Sequence, residues 1–507
     1  MIISEMQRKL ATWTATDTTR RVDRLLRLIS HPEWLAEAAR ITLSSQGAST
    51  PGVDGITKQS LPEDLRDYLL QLRNDLLTNN YEPSPARRVY IPKTNGKLRP
   101  LGIPTLKDRI VQRAMLMAME PIWENEFHSL SYGFRPERSV HHAIRTVKLQ
   151  LTDGSATRGR WVIEGDLSSY FDTVHHKLLM HCVRKRISCQ RFNNLLWRFI
   201  KAGHVERNLF CAASEGVPQG GVISPLLSNI MLNEFDQYLD ENYLGKKARQ
   251  DRWYWNNSIK RARPIAKEED RQWKPAVAYC RYADDFVIIV KGSKQEAEAI
   301  RDECRDRLEG KLKLTLNMDK THITHVNDGF IFLGHRIIRK RGPKGSMRVV
   351  TGIPHEKAKA FTHTLSKLLT GDYSTSKIDK IEKLNQKLKG WSQFYRYTDF
   401  TSKIYSKIDR TVFWKLGHWL ARKYRCRIKF LLEKWCKHPA PGKAKTWVLF
   451  GKTNRNKLKG EVLYRLVSSP KMPFRFRLPE INPYLREEIR KTVTSRYADV
   501  AMAVGHA

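Results

Sequence analysis

Val277-Ala278-Tyr279-Cys280-Arg281-Tyr282-Ala283-Asp284-Asp285-Phe286-Val287-Ile288-Ile289-Val290 sets two apolar runs around a pair of acids. Each run has the length and the β-branched and aromatic content of a strand. The stretch therefore reads as a β-hairpin with two carboxylates at its tip. Upstream, Trp161-Val162-Ile163-Glu164-Gly165-Asp166-Leu167 reads as a strand that ends in a third acid, Asp166. Carboxylates beside buried strands are costly unless something positive neutralises them, and adjacent carboxylates repel. A solvated Asp-Asp turn is common in hairpins. The second strand-borne acid moves the reading towards a divalent cation.

Outward from these strands, 20–40 carries apolar residues at helical spacing (Val22, Leu25, Leu26, Ile29, then Leu35 and Ala38), broken at His31-Pro32. Ser49-Thr50-Pro51-Gly52-Val53-Asp54-Gly55 is a turn-rich loop, and helices are predicted over 62–77 and 108–127. Between them, Val89-Tyr90-Ile91-Pro92 and Leu98-Arg99-Pro100-Leu101-Gly102-Ile103 form a hairpin signalled by Asn95-Gly96. Helices follow near His175 and over 223–239. Residues 240–276 are charged, Trp-rich and poor in aliphatics, and read as a surface insertion. The rest is helical and basic. Ile378, Ile381, Leu384, Leu388 and Trp391 keep one face, and Phe400, Ile404, Ile408, Val412, Leu416 and Trp419 another, with Gly390 and the aromatic run 391–397 separating the two helices.

At 507 residues the chain is too long for one core. Its 91 Lys and Arg against 52 Asp and Glu give a net charge of +39. So large a charge repels itself within a compact fold, and a polyanionic partner is the usual reason for it. A ribosomal-type structural protein and a membrane-surface binder are the blander readings. Seven scattered cysteines (182, 189, 211, 280, 304, 426, 436) include no C-x2-C pair. With no signal-peptide pattern and no apolar run of spanning length, these features predict a soluble, cytoplasmic protein without a membrane partner.

Tyr282-Ala283-Asp284-Asp285 resembles the Tyr-x-Asp-Asp signature of reverse transcriptases, and further blocks follow in that family's order. Pro51-Gly52-Val53-Asp54-Gly55 resembles the N-terminal motif of group II intron and related bacterial enzymes. Gly96-Lys97-Leu98-Arg99-Pro100-Leu101-Gly102-Ile103-Pro104 resembles their fingers hairpin, and Tyr132-Gly133-Phe134-Arg135-Pro136 the next block. Asp166-Leu167-Ser168-Ser169-Tyr170-Phe171-Asp172 and Gly216-Val217-Pro218-Gln219-Gly220-Gly221 are similar to motifs A and B. Leu316-Asn317-Met318-Asp319-Lys320-Thr321 and Phe332-Leu333-Gly334 match the last two palm motifs. Each block is weak alone; their shared order is specific.

The resemblance implies an α+β right-hand polymerase with fingers, an antiparallel palm sheet, an α-helical thumb and a small basic C-terminal segment. The expected boundaries are 1–160 for the N-terminal extension and fingers, 161–340 for the palm with its 240–276 insertion, 341–438 for the thumb or maturase domain, and 439–507 for the last segment. Asp166, Asp284, Asp285 and the carbonyl of Leu167 would hold two Mg2+ ions, with Mn2+ able to substitute. Lys97 and Arg99 would close on the triphosphate. Phe171 would exclude a 2′-hydroxyl and so favour dNTPs, Gln219 would line the nucleotide site, and Lys320 would lie near the triphosphate or the carboxylates. Gly220, with Gly221, would let the template backbone approach, and Phe332-Leu333-Gly334 would grip the primer. The implied substrates are an RNA template with a DNA primer and dNTPs; oligomeric state stays open.

Gly390-Trp391-Ser392-Gln393-Phe394-Tyr395-Arg396-Tyr397 resembles the maturase region of group II intron proteins, which implies structured intron RNA as a partner. Basic residues interleaved with aromatics suit phosphates and unpaired bases, although Trp391 and Phe394 fit a packed core better. Arg339-Lys340-Arg341-Gly342-Pro343-Lys344 reads as a basic hairpin. Residues 447–485 resemble a small DNA-binding segment. In many relatives an HNH endonuclease with paired cysteines follows; after 485 this chain has no cysteine and only His506, so no such nuclease site is expected. His141-His142 and His175-His176 read as helix-start or surface pairs. Two alternatives stay open: a free-standing relative in DNA repair or phage defence, and a non-enzymatic RNA-binding maturase, against which the three acids argue.

Overall fold

The structure, a computed structural model, describes residues 2–486 apart from 93–95, 97, 153–159, 208, 246–247, 249–252, 257, 259–260, 265–274, 343–344, 471–473 and 475–481. The chain divides into two units. The first comprises Met1–Thr146, Arg158–Ile323 and Leu478–Ala507, and the second Val147–Thr157 and Thr324–Arg477.

In the first unit the predicted hairpin forms as Ala276–Tyr282 and Asp285–Lys291, and Asp285–Lys291 pairs antiparallel on its other side with Arg160–Gly165. The short strand His322–His325 completes the sheet beyond Arg160–Gly165. Phe286 to Val290 are all buried, as an unbroken apolar run requires when a strand is covered on both faces. The helix Ser224–Leu239 is buried on nearly every side, and its Phe235 packs on Phe286 and Tyr279 with ring centroids 5.4 and 6.2 Å away.

A second sheet runs in the order Leu98–Ile103, Ala86–Pro92, His204–Glu206, Leu209–Cys211. Ala86–Pro92 pairs antiparallel with Leu98–Ile103, as the Asn95-Gly96 signal predicts, and parallel with His204–Glu206. The turn itself includes residues outside those described. The His204–Cys211 hairpin is too short to betray a strand period, and no sequence signal announces it. The helix Gln190–Lys201 before it is legible, since Phe192, Leu195, Leu196 and Phe199 share a face and are buried.

The Pro51-Gly52 loop has a structural task. It packs against the N-terminus of the helix Leu106–Trp123, where a Cβ on Gly52 would stand 2.6 Å from the Thr105 Cα. Arg109 from that helix donates to the carbonyls of Gly47 and Thr50 at 2.7 and 2.6 Å. Thr105 caps the helix by accepting from the Asp108 amide.

In the second unit, Phe330–Phe332, His335–Arg341 and Met347–Gly352 form an antiparallel sheet. The helices His355–Leu368, Lys377–Phe394, Ser402–Tyr424 and Ile428–Trp435 follow. Ile378, Ile381, Leu384, Leu388, Ile408, Val412, Leu416 and Trp419 share one core, as their spacing predicts. Two expectations need correction. Gly390 does not separate helices: it lies inside Lys377–Phe394, where a Cβ would meet nothing within 4 Å, and the break falls after Phe394. Trp391 lies within the helix, stacked on Phe361 at 4.5 Å, so continued packing outweighs one glycine's propensity cost.

The second correction concerns the end of the chain. The strands Thr446–Lys452 and Leu458–Val462 belong to the helices' own core through Trp447, Leu449, Leu463 and Leu466. Asp409, on Ser402–Tyr424, accepts from the Leu466 and Val467 amides at 2.9 and 3.1 Å. Asn482 and Tyr484 join the first unit instead, where Asn482 donates to the Pro121 carbonyl at 3.0 Å and Tyr484 bonds Glu120. The described residues of the 439–507 stretch are thus shared between the two units.

Of the 240–276 stretch, residues Asp240–Leu244 prolong the preceding helix as a π-turn and bury Tyr243 and Leu244; the Tyr243 hydroxyl donates to Glu303 at 2.6 Å. Trp253–Asn256 and Arg261–Pro264 pair as a ribbon. Much of the remainder lies outside the described residues. Among those described, no helix is long and apolar enough to cross a membrane.

Candidate active site

Tyr282 pairs with Asp285 across the hairpin, leaving Ala283 and Asp284 as a two-residue turn. Ala283 takes a left-handed φ of 57°, a conformation that costs a non-glycine residue about 1–2 kcal/mol. Strain at a turn that carries acids is a mark of function. The ladder pairs Gly165 with Phe286, so the next step along it brings Asp166 beside Asp285. Gly165 is required there because a Cβ would lie 2.1 Å from the Phe286 ring.

Asp284 and Asp285 both feel the charge of Asp166. Burial, then the charge of Asp166, raises Asp284 above the usual carboxylate range, while Arg99 and Arg281 oppose the rise. Asp285 meets solvent, yet the desolvating protein around the tip and the charges of Asp284 and Asp166 push it up to about 6. This is charge crowding that a cation would relieve. Lys320 relieves part of it: its Nζ lies 2.6 Å from Asp166 Oδ2, on a side chain 65% exposed. Asn317 holds the Lys320 turn in place, its amide donating to the Asp166 carbonyl at 2.9 Å.

Leu167 is buried and bridges to Leu316. The bonds flanking that bridge use the Asp166 carbonyl and the Ser168 amide, so Leu167's own amide groups turn to the opposite side of the strand. Three carboxylates and a backbone carbonyl could thus offer hard oxygens of the kind Mg2+ or Mn2+ accepts. Among the described residues, no three His, Cys, Asp or Glu side chains already converge on one metal position. Lys320 fills the space next to Asp166 that a cation would use.

Phe171 follows Asp166 on the helical turn Tyr170–Thr173 and lines a cleft of about 410 Å3 with Arg88, Tyr90, Gly102, His204 and Pro218. Its carbonyl accepts from the Val217 amide at 2.7 Å, which ties the 216–221 loop to the Asp166 strand. Gly216 makes this possible, with φ 85° and a hypothetical Cβ only 2.8 Å from the Asp172 carbonyl. Gln219 is half-buried, and its carbonyl accepts from the Gly102 amide at 2.6 Å. Gly220 has φ 110°, and its close neighbour in the protein is the Gly102 carbonyl, 2.5 Å from where a Cβ would sit. Arg99 lies exposed on Leu98–Ile103 and acts on Asp284 and Asp285 through its charge. Lys97 lies outside the described residues.

Phe332, Leu333 and Gly334 belong to the second unit. Leu333 and Gly334 have φ of 47° and 75°, the two positive values of a type I′ hairpin. The Tyr395 hydroxyl donates to the Gly334 carbonyl at 3.1 Å, and His335 packs between Phe394 and Tyr395, each ring 5.1 Å away. Burial lowers the pKa of His335, and the Leu333 carbonyl opposes this. His175 caps and His176 opens the helix His176–Arg184, as a helix-start pair would, and His176 is buried with its Nε2 2.6 Å from the Gly216 carbonyl.

Beneath the turn lies a group that sequence reasoning misses. Arg281 and Asp236 form a fully buried ion pair, with Nε and Nη2 reaching the two carboxylate oxygens at 2.8 and 2.5 Å. Tyr279 donates to the same carboxylate at 2.7 Å. The signal for it is an arginine in an apolar strand and an aspartate on an apolar helix, two charges at core positions.

Long stretches of the chain match known proteins. Residues 91–337 match the family model described as reverse transcriptase (RNA-dependent DNA polymerase), and residues 358–436 the group II intron, maturase-specific domain. The chain is 75% identical over 369 residues to Protein YkfC of Escherichia coli strain K12, covering 73% of this chain and 97% of that protein. It is 34% identical over 355 residues to the group II intron-encoded protein LtrA of Lactococcus lactis subsp. cremoris, covering 63% of this chain and 57% of LtrA. It is 25% identical over 332 residues to nuclear intron maturase 1, mitochondrial, of Arabidopsis thaliana, covering 52% and 45%. The family works on nucleic acid with divalent metal. Strand-borne acids, the loops that bind them together and a maturase-specific domain later in the chain thus have one common explanation: the chain belongs to the reverse transcriptases of group II intron type, RNA-directed DNA polymerases that carry a maturase domain.

Proposed function

We propose that the protein copies RNA into DNA at the Asp166–Asp284–Asp285 site and binds a structured intron RNA as its maturase. The strand register that sets Asp166 beside Asp285, with Asp284 in the adjoining turn, carries this reading. Asp166, Asp284, Asp285 and the Leu167 carbonyl would hold two Mg2+ ions, or Mn2+ in their place. Bound there, the ions would activate the primer 3′-hydroxyl and neutralise the leaving pyrophosphate. Lys320, on its long exposed side chain, would leave Asp166 for the triphosphate. Arg99 and Lys97 would bind the triphosphate, and Gln219 would line the base. The Phe171 ring would stand where a 2′-hydroxyl would go, selecting dNTPs. Gly220 would keep the template side of the loop clear, and the Phe332–Gly334 turn would hold the primer end.

In this reading the first unit supplies fingers and palm, and the helices of the second unit are the thumb. The exposed Arg336, Lys340, Arg341 and Arg348 of the basic hairpin would lie along RNA phosphates with little regard for sequence. Seven free cysteines fit the reducing cytoplasm of a bacterium. The maturase match favours an intron-borne role over a free-standing one in repair or phage defence.

Primer extension on an RNA template with dNTPs and Mg2+ tests the polymerase, comparing wild type with Asp284→Ala. Extension by wild type alone is expected; none by either protein, across salts and primers, overturns the polymerase reading. Phe171→Val is expected to admit rNTPs at least tenfold better relative to dNTPs, a change of ~1.4 kcal/mol in discrimination. Splicing of a cognate intron RNA with and without the protein tests the maturase role.

A further inference from the structure

The reaction depends on where the Ala283–Asp284 turn aims its carboxylates. A two-residue turn with a strained first residue has no ladder partner of its own to fix that direction. The strands end at Tyr282 and Asp285, and the aim must come from below.

Arg281 provides a hold there. Its Nη1 donates to the Ala283 carbonyl at 2.9 Å and to Asn229 Oδ1 at 3.0 Å, while Nε and Nη2 grip Asp236. Asn229 in turn donates from Nδ2 to the Gly133 carbonyl at 2.8 Å. Gly133 lies directly under the turn, where a Cβ would come within 2.3 Å of the Ala283 amide nitrogen. The Arg281 backbone is fixed as well, by bonds to Leu130 and Tyr132 at 3.0 and 2.9 Å. The guanidinium therefore joins the turn to the helix Ser224–Leu239, and Asn229 and the Arg281 backbone extend the link to the 130–135 loop. Asp236 and Arg281 are 0% exposed.

Stability alone gives no reason for such a pair. Burying two charges costs about what their attraction returns, and well-packed apolar residues often do as well or better. An apolar pair, however, cannot hold a carbonyl. We propose that Arg281, anchored by Asp236 and Asn229, is the positioning residue of the catalytic turn: its bond to the Ala283 carbonyl sets the direction of Asp284 and Asp285 towards the divalent cations they receive. The proposal rests on the polymerase reading of those acids.

Two variants test it. Arg281→Met with Asp236→Leu removes the charges together and should keep the fold; Arg281→Lys keeps a cation for Asp236, but its single nitrogen lacks the spread fork that reaches Asp236 and the Ala283 carbonyl together. Each is measured below its melting temperature for primer–template affinity, for kcat and dNTP KM, and for Mn2+ binding by electron paramagnetic resonance with primer–template and a non-hydrolysable dNTP. Both should bind primer–template as wild type does. The double variant should bind Mn2+ at least about tenfold more weakly, the size of effect seen when the residues that orient a metal's ligands are removed. Its kcat should fall about 100-fold, as for a misplacement near 1 Å. Arg281→Lys should lie between it and wild type. Wild-type Mn2+ affinity and kcat in either folded variant overturn the proposal. Should the double variant fail to fold, Arg281→Lys decides by the same two measurements. A wild-type protein that extends no primer in the parallel assay sinks the polymerase reading instead, and Mn2+ binding still decides the positioning.

Discussion

Two β-hairpins in this molecule solve different problems with similar backbones. Ala276–Lys291 is covered on both faces, so its tip is held from the strands and from the buried Arg281 below. His335–Gly352 alternates. His335, Ile337 and Arg339 face inward, while Arg336, Lys340 and Arg341 face solvent. The first hairpin gives a direction to a few charges, and the second gives a row of cations. Full burial defines geometry because neighbours fill every side. One-sided burial leaves long side chains free to follow a phosphate backbone.

The largest expected difference between the hairpins is chemical. Asp284→Ala should lower primer extension at least about a thousandfold, comparable to losing a principal electrostatic group in an active site. Alanine at Arg336 and Lys340 should leave kcat within a few-fold. Equal losses of kcat from both hairpins would break the distinction.

Packing under the first hairpin is the next test. Gly133→Ala puts a methyl group 2.3 Å from the Ala283 amide nitrogen. It should destabilise the protein by about 1–3 kcal/mol in urea unfolding, the usual cost of overpacking, and reduce extension in the folded fraction. Unchanged stability would mean the tip is looser than its burial implies.

Acid should act on the two hairpins in opposite directions. The raised Asp285 pKa, about 6 against an ordinary 3.8, means the folded metal-free protein binds the extra proton. Its penalty therefore grows as pH rises through that interval and fades as pH falls from 7 towards 4. The lowered His335 pKa means the folded protein binds fewer protons than the unfolded chain, so stability is lost as pH falls below the ordinary 6.5. In EDTA, the Tm advantage of Asp285→Asn over wild type should shrink on acidification. His335→Phe should lose less Tm than wild type over the same range. Parallel pH profiles for each variant and wild type would contradict these assignments.

The smallest effect concerns RNA. Removing Arg336 and Lys340 should weaken RNA binding a few-fold at moderate salt and flatten the logarithmic salt dependence by about 1 for each phosphate no longer neutralised. No change in slope would take the second hairpin off the RNA.

Much of the fold is legible in the sequence because it rests on local chemistry. The strands 276–282, 285–291 and 160–165 announce themselves by their apolar runs, the Leu98 hairpin by Asn95-Gly96, and the three acids by standing at strand ends. What misleads is also local. Gly390 suggests a break, yet the helix runs through it because Trp391 has Phe361 to stack on. Residues after 439 look like a separate basic segment, yet Trp447 and Leu449 finish a core begun at Ile353.

The sequence by itself determined the acids, the periodicities and the turn residues, since propensity, strand alternation and like-charge repulsion act over a few neighbours. The tertiary structure alone decided which distant groups meet. Arg281 finds Asp236 across 45 residues and Lys320 finds Asp166 across 154. No local pattern encodes such pairs, because burial of the whole chain chooses them, and it is those pairs that hold the acids in place.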